Sequence, residues 1–459
     1  MKELCDEAAE AAQVRSTVIH RRIGREVPWH EGRDVWWHDL VEGQPGDVPC
    51  EDTDAEDVWM IAYTSGTTGR PKGSVHVHGG FLVKIASEVA YQTDLRPDDV
   101  LYWVTDMGWI MGQFEAVGGL ALGGTVLLYE GAPDYPGPDR VWDLCERHGV
   151  TILGVSPTLV RALMARGTGP VEAHDLSRLR IFGSTGEPWN RDPWLWLFHQ
   201  VGGGRCPIIN LSGGTEIGAC LLSCYPIADL KPETLRGPSL GMDVDVVDAG
   251  GRPVRDGVGE LVCRQPWPSM TRGIWGDPDR YVAAYWSKIP GVWCHGDWAS
   301  IDEDGFWFLH GRSDDTLNIA GKRIGPAEIE SVLVGHPAVV EAAAVGVPHE
   351  VKGEAVWCFC ILSMGEDPVR VAAELRDRVD QEIGKVFRPA RIVFVPDLPR
   401  TRSAKILRRA VRATALGDDP GDLSSLENPA ALEAIAAALG KETGLSVPQG
   451  EWDAPGPVH

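Results

Sequence analysis

Apolar residues arrive in two rhythms along this chain. Runs such as VWMIAYTS, GGTVLLYEG and VTILGVS are short and densely apolar, and they alternate with stretches such as PTLVRALMARG, where apolar positions recur every three or four residues. Short apolar runs bounded by turn residues predict strands and the longer period predicts helices, so the alternation predicts α/β layering with crossover connections over residues 1–313. Between about 237 and 311 the pieces shorten. MDVDVVDAGG, GELVCRQP and GFWFLHGR, broken by Gly and Pro, predict a β-rich subdomain appended to that body. After Asp314 the pattern changes again: Pro326 opens a helix at a favoured first-turn position in PAEIESVLVGH, strands VVEAAAVGV and AVWCFCIL follow, and PVRVAAELRDRVDQEIG predicts a second helix. These make a small α+β domain over 314–430. The tail, 431–459, carries a short helix-like ALEAIAAAL, and its last dozen residues are expected to be poorly ordered.

Charge narrows the partners. With 43 basic and 66 acidic residues the formal net charge is −23, which repels nucleic-acid phosphate and anionic lipid, so neither nucleic acid nor membrane is expected. The same field opposes anionic substrates. A nucleotide site must therefore be made locally from glycine amides, helix N-termini and a few cations. The ten cysteines show no C-x-x-C spacing, which fits a reducing compartment and neither a zinc ribbon nor a disulfide framework. Cys358 and Cys360 alternate in AVWCFCIL, which puts both on one face of a strand as core residues. The start MKELCDEAAEAAQ is acidic, unlike a secretory signal, and no run reaches the roughly 18 apolar residues of a membrane span; a cytoplasmic protein is expected.

The segment YTSGTTGRPKG, residues 63–73, follows a predicted strand and gathers hydroxyls and glycines ahead of Lys72, a composition suited to wrapping phosphate oxygens. It is not a Walker A loop, because Pro71 precedes Lys72 and Gly73 follows it. Taken alone, such a loop is equally an ordinary solvated turn. Four more segments change that: FGSTGEPWN (182–190), NLSGGTEIG (210–218), WCHGDWASIDEDGFWFLHGRSDDTLNIAGKRIGPAEIE (293–330) and LPRTRSAKILRR (398–409). In this order they resemble the acetyl-CoA synthetases of the adenylate-forming superfamily, from about Arg33 to about residue 430.

The resemblance implies a large multi-layer α/β adenylating domain with its β-rich subdomain, N-terminally incomplete, and a small mobile α+β C-terminal domain. It implies ATP-dependent ligation of a small-molecule carboxylic acid to coenzyme A through an acyl-AMP, with magnesium. By resemblance, Thr64, Ser65, Gly66, Thr67, Thr68, Gly69 and Lys72 hold the ATP phosphates, and Gly186, Glu187 and Pro188 form the adenine shelf. Asn210, Leu211, Ser212, Gly213, Gly214 and Thr215 carry both nucleotide and acyl group. Glu216 binds magnesium, Asp297 the ribose hydroxyls, Arg312 the ribose and phosphate, and Arg323 the α-phosphate. Lys405 bridges the acyl carboxylate and the α-phosphate during adenylation. Gly321, beside Ala320, borders the pantetheine path, and Asp314 is the hinge between the adenylating and thioester-forming poses.

Several positions depart from the family. Ala404 stands where glycine usually precedes the lysine, and Asp380 where a coenzyme A-binding arginine is expected. Gly213 stands where acetyl-CoA synthetases carry a pocket-closing tryptophan; with Ile110, Met111 and Thr185 it implies a deeper, largely apolar acyl pocket, for an acid of about three to six carbons. Family chains begin well upstream, so this chain is expected to start inside the large domain and to expose a sheet edge that calls for a second copy or a complementing N-terminal fragment. Two other readings follow the same motifs: an acyl-AMP ligase loading a carrier protein, and a weakly active subunit that needs a partner.

Overall fold

The computed structural model describes residues 2–64, 71–313, 315–320, 322–401, 405–423 and 426–444. The chain divides into two units, one ending at Thr53 and one beginning at Asp54. The first comprises α1 (Lys2–Ala11), the parallel strands β1 (Thr17–Ile19) and β2 (Asp34–Trp36), and α2 (Trp37–Val41). Its polar centre is Asp34. The carboxylate meets Lys2 and Arg33, each at 2.8 Å; burial opposes its ionisation, but these cations and the His30 N–H hold it well below the carboxylate range.

The second unit opens with an antiparallel hairpin, β3 (Val58–Thr64) and β4 (Lys72–Val77), followed by α3 (His78–Gln92). Then come β5 (Val100–Trp103), α4 (Ile110–Ala121), β6 (Thr125–Val126), α5 (Arg140–His148), β7 (Ile152–Val155), α6 (Pro157–Met164) and α7 (Gly169–Glu172). After these follow β8 (Ile181–Ser184), α8 (Arg191–Trp196), β9 (Ile208–Gly214), β10 (Ala219–Ser223) and β11 (Gly237–Pro238). The sheet order is β11-β10-β9-β8-β7-β5-β6, parallel from β6 to β9 and antiparallel beyond. All four residues of β7 are buried, as a central parallel strand covered on both faces requires. Leu153 and Val155 pack with Trp142, Val160 and Leu197 on one face, while Ile152 packs with Phe81, Ile85 and Phe114 on the other. The body is therefore layered helix, sheet, helix. Of the expected strand GGTVLLYEG only Thr125–Val126 pairs.

The β-rich segment forms a four-stranded antiparallel sheet: β12 (Val244–Val247), β13 (Gly259–Cys263), β14 (Trp293–Ile301) and β15 (Trp307–Arg312). Pattern reading did not anticipate the helix inside it, α9 (Pro278–Tyr285), capped by Asp277 and started by Pro278. The remaining elements are β16 (Leu317–Ile319), β17 (Lys322–Ile324), α10 (Pro326–Val334), β18 (Val339–His349), β19 (Gly353–Leu362), α11 (Pro368–Glu382), β20 (Arg391–Phe394), α12 (Arg408–Leu416) and α13 (Ala430–Gly444). Cys358 and Cys360 share the face of β19 that packs under α10 and α11, while Phe359 faces Val411 of α12 and Ile435 of α13. Helices thus cover both faces of this smaller sheet. The last fifteen positions, 445–459, lie outside the described residues. Among the described residues no helix is long and apolar enough to cross a membrane.

Candidate active site

The β3–β4 hairpin places Thr64 opposite Lys72. Ser65, Gly66, Thr67, Thr68 and Gly69, which join the two strands, lie outside the described residues. The Thr64 hydroxyl is buried without a partner among the described residues. Lys72 reaches a polar cluster: its Nζ donates to the Tyr285 hydroxyl at 2.7 Å and lies 3.3 Å from Glu216 Oε1. The Tyr285 O–H in turn donates to the same Glu216 oxygen at 2.5 Å. Tyr285 is held by Trp293, stacked on it at 4.2 Å with planes 5° apart. Burial alone would raise the Glu216 carboxyl, but Lys72, the Tyr285 hydroxyl and His295 together hold it down to about 2.

Glu216 sits where it does because β9 and β10 form a tight hairpin around one helical turn, Thr215–Ile217, closed by Gly218 at φ +68°. Near it lies His295 of β14, pushed below the ordinary imidazole value first by burial, with Asp297 and Glu216 pulling the other way. Its Nε2 is 3.7 Å from Asp297, and its Nδ1 has no partner among the described residues. Asp297 pairs in register with Arg312 across β14 and β15; the guanidinium Nη1 is 3.8 Å from the carboxylate and donates to the His295 carbonyl at 2.9 Å.

Lys405 arrives from the far end of the chain. Its backbone is pinned by Thr401, whose N–H donates to the Lys405 carbonyl at 2.9 Å and whose hydroxyl accepts the Lys405 N–H at 3.2 Å. The ammonium is pushed below the ordinary lysine value, first by desolvation, then by Arg312 and Arg408, with Asp315 and Asp297 pulling the other way. The side chain nevertheless keeps accessible surface. Arg408 is itself clamped by Glu330, Nε to Oε1 at 2.7 Å. The structure thus brings Lys72 and Glu216 together and sets Lys405 within the field of Asp297 and Arg312. A cavity of about 310 Å³ opens beside Lys72 and Tyr285, lined also by Arg280, His295, Arg312 and Glu260.

Other sequence-predicted residues lie just after β8, on β9 and at the start of α4. Gly186 has φ +113°, and Glu187 is held by Arg161 at 3.0 Å and by the Thr158 hydroxyl, with Pro188 exposed beside it. Asn210 is buried and donates to the Thr234 carbonyl at 3.3 Å. The Thr185 hydroxyl donates to the Leu211 carbonyl at 2.8 Å, so toward a ligand it offers lone pairs and no proton. Ile110 and Met111, at the start of α4, pack half-buried on the cluster that contains Trp103, Leu211 and Cys220. Ser212 and Gly214 pair with Leu222 and Ala219 across the hairpin.

Gly213 alters the expectation built on it. A Cβ there would lie 2.0 Å from the Ala219 carbonyl oxygen and 2.8 Å from Cys220 Cα. The room a side chain would take along that direction is filled by the backbone of β10, so glycine closes the hairpin as well as baring one side of it. Gly321 and Asp314 lie outside the described residues, as does the side chain of Arg323, whose backbone pairs with Asn318. Ala320 takes a left-handed φ of +51°, and its N–H donates to the Lys352 carbonyl at 2.8 Å. Sequence reasoning missed Tyr285, Trp293, Arg161 and the role of His295. Nothing in PDRYVAAY marks Tyr285, whose partners come from two distant hairpins, whereas Trp293 and His295 both lie in the segment WCHGDWA and were the ones with a signal in the sequence.

Comparison with known proteins identifies the family. The family model described as "AMP-binding enzyme" matches residues 1–275, and "AMP-binding enzyme C-terminal domain" matches 328–405. The acetyl-coenzyme A synthetase of Rubrobacter xylanophilus is 44% identical over 95% of this chain and 68% of its own length. That of Gemmatimonas aurantiaca is 46% identical over 91% and 65%. Among solved structures, acetoacetyl-CoA synthetase from Streptomyces lividans superposes with a TM-score of 0.84 at 30% identity, covering 96% of this chain and 67% of that one. An anthranilate CoA ligase in complex with anthranoyl-AMP gives 0.76 at 25% identity, covering 90% and 80%. This chain spans about two thirds of the length of the curated relatives it matches. By motif order, layered fold and both family models, the chain belongs to the AMP-binding enzyme family, among its acetyl-CoA synthetase-like members.

Proposed function

We propose that this chain ligates a short- to medium-chain carboxylic acid to coenzyme A in two steps, consuming ATP to AMP and pyrophosphate. In the first, a carboxylate oxygen bonds to the α-phosphorus of ATP while the bond from that phosphorus to the departing pyrophosphate breaks. In the second, the coenzyme A sulfur bonds to the acyl carbon, the acyl bond to AMP breaks, and the thiol proton goes to solvent. The observation that carries this reading is Lys405, a cation from the C-terminal segment standing in the field of Asp297 and Arg312 of the body. The first step joins two anions. A fixed ammonium between them lowers the cost of approach and stabilises the charge that develops.

The other roles follow from chemistry at each position. Lys72, with Thr64 to Gly69, cradles the β- and γ-phosphates; Asp297 accepts from the ribose hydroxyls; Arg312 and Arg323 meet the ribose and α-phosphate. Gly186 to Pro188 and Asn210 to Thr215 line the adenine and acyl faces, the latter with Ile110, Met111 and Thr185. Glu216 suits magnesium: it is ionised throughout the neutral range, and Lys72 and Tyr285 both meet the same oxygen, Oε1. A hard cation that takes one or two carboxylates beside phosphate fits such a donor. Bound there, the ion would neutralise phosphate charge. The segment from 314 to 430 acts as a mobile domain turning about Asp314, which presents Lys405 for adenylation and Gly321 with Ala320 for thioester formation.

The test is a panel of straight-chain acids with ATP and magnesium, read as pyrophosphate release with and without coenzyme A. Acid-dependent release that becomes catalytic only with coenzyme A is the expected result. No acid-dependent release overturns the reading, and turnover with a carrier protein in place of coenzyme A corrects the acceptor.

A further inference from the structure

Helix α3 carries an apolar row, Phe81, Ile85 and Val89, into the core, and beside it at the same spacing a polar row: Lys84, Glu88 and Gln92. The polar row is as buried as the apolar one, with Lys84 3% exposed and Glu88 and Gln92 1%. Lys84 Nζ meets Glu88 Oε1 at 2.6 Å and donates to the Leu240 carbonyl at 3.1 Å; Gln92 Nε2 donates to the Ser239 hydroxyl at 2.7 Å. Matched apolar side chains are often as stable as a buried ion pair, so the pair calls for a role beyond stability. Glu88 shows one. Its two carboxylate oxygens lie 3.1 and 3.2 Å from the backbone nitrogen of Cys220, at the point where the register of β9 and β10 breaks.

Cys220 faces Gly213 across that hairpin, and the approach of β10 there is so close that a Cβ on Gly213 would strike the Ala219 oxygen at 2.0 Å. The side-chain pair that holds β10 in place is therefore the pair that sets the backbone wall of the acyl site. We propose that Lys84 and Glu88 are positioning residues for acid selection: by gripping the Cys220 N–H they hold β10 against Gly213 and so set the depth of the acyl pocket. This inference rests on the acyl-site reading above. Lys84 orients and neutralises the carboxylate, and Glu88 supplies the acceptor.

Two double variants of the full chain separate acceptor from charge. K84M/E88Q removes both charges and keeps an amide oxygen for Cys220, whereas K84M/E88M removes the acceptor as well. Each is followed by hydrogen exchange of the segment containing Cys220, by pyrophosphate release across the acid panel, and by KM for ATP. K84M/E88M should raise exchange at Cys220 by about tenfold. It should also change the kcat/KM ratio between the preferred acid and its longer neighbours by roughly tenfold, with KM for ATP within about twofold. K84M/E88Q should keep the parent's exchange and acid profile. A folded K84M/E88M with the parent's profile overturns the proposal, and so does a folded K84M/E88Q that loses it. A parent chain that releases no pyrophosphate with any acid overturns the functional reading and this one with it, an outcome told apart by the parent control.

Discussion

Gly213→Ala is the sharpest single perturbation the structure offers. The added methyl would sit 2.0 Å from the Ala219 oxygen, a full ångström inside the 3.0 Å that real Cβ atoms essentially never cross. The obstacle is backbone, not a flexible side-chain tip, so β10 must retreat by about 1 Å. The Cys220 nitrogen, now 3.1 and 3.2 Å from the Glu88 oxygens, would then leave hydrogen-bond range. Overpacking of a well-packed region costs about 1–3 kcal/mol, and loss of a hydrogen bond to a charged acceptor about 1.5–3 kcal/mol. Because the strand moves to relieve the first at the expense of the second, the two do not add in full; a destabilisation of about 2–4 kcal/mol is expected. Urea unfolding followed by tryptophan fluorescence measures it, as a lowered midpoint at constant slope. Stability equal to the parent's would refute the rigid-hairpin argument. The same argument bears on Gly213→Trp. Sequence reasoning alone expects an acetate-selective enzyme, whereas the structure predicts a disrupted hairpin, and a folded, acetate-selective tryptophan variant would sink it.

Further outcomes can be checked separately. Lys405→Ala should lower acyl-AMP formation by about 10²–10³-fold and spare transfer from preformed acyl-AMP to coenzyme A, with each half-reaction assayed alone; equal loss of both contradicts its role. Gly321→Leu should do the converse, keeping adenylation and blocking thioester formation. Tyr285→Phe removes a hydroxyl that stabilises ionised Glu216, whose carboxyl is now held at about 2 against an ordinary 4.5. A depressed carboxylate contributes stability that is full above its unfolded value and lost as pH falls through the folded one, so acid unfolding should begin at higher pH in the variant. Coincident acid transitions would show that the hydroxyl is not what holds Glu216 down. Across the acid panel the parent should prefer about three to six carbons, and a preference for acetate over butyrate would count against the open side of Gly213 as a chain-binding space.

Much of the candidate site was legible only through its resemblance to a family whose motifs are contiguous; taken alone, each residue reads as an ordinary turn or surface group. Lys72, Glu216, Asp297, Arg312 and Lys405 each sit in a short run of glycines, hydroxyls or turn residues, and the α/β alternation and the helix opened at Pro326 follow from local periodicity and turn preferences. Such features depend on neighbours a few residues away. The layered architecture and the inventory of charged groups are therefore readable along the chain. What the sequence could not determine depends on distance through space. Tyr285 bridges Lys72 and Glu216 only because α9 lies across two hairpins, and a buried Lys84–Glu88 pair is indistinguishable in the sequence from a solvated i, i+4 pair on an exposed helix. Gly213 shows the limit most plainly. Its missing side chain reads as empty space along the chain, but the tertiary structure fills that direction with the backbone of a neighbouring strand, because hard-sphere contact is set by which atoms fold alongside and not by which residues adjoin in sequence.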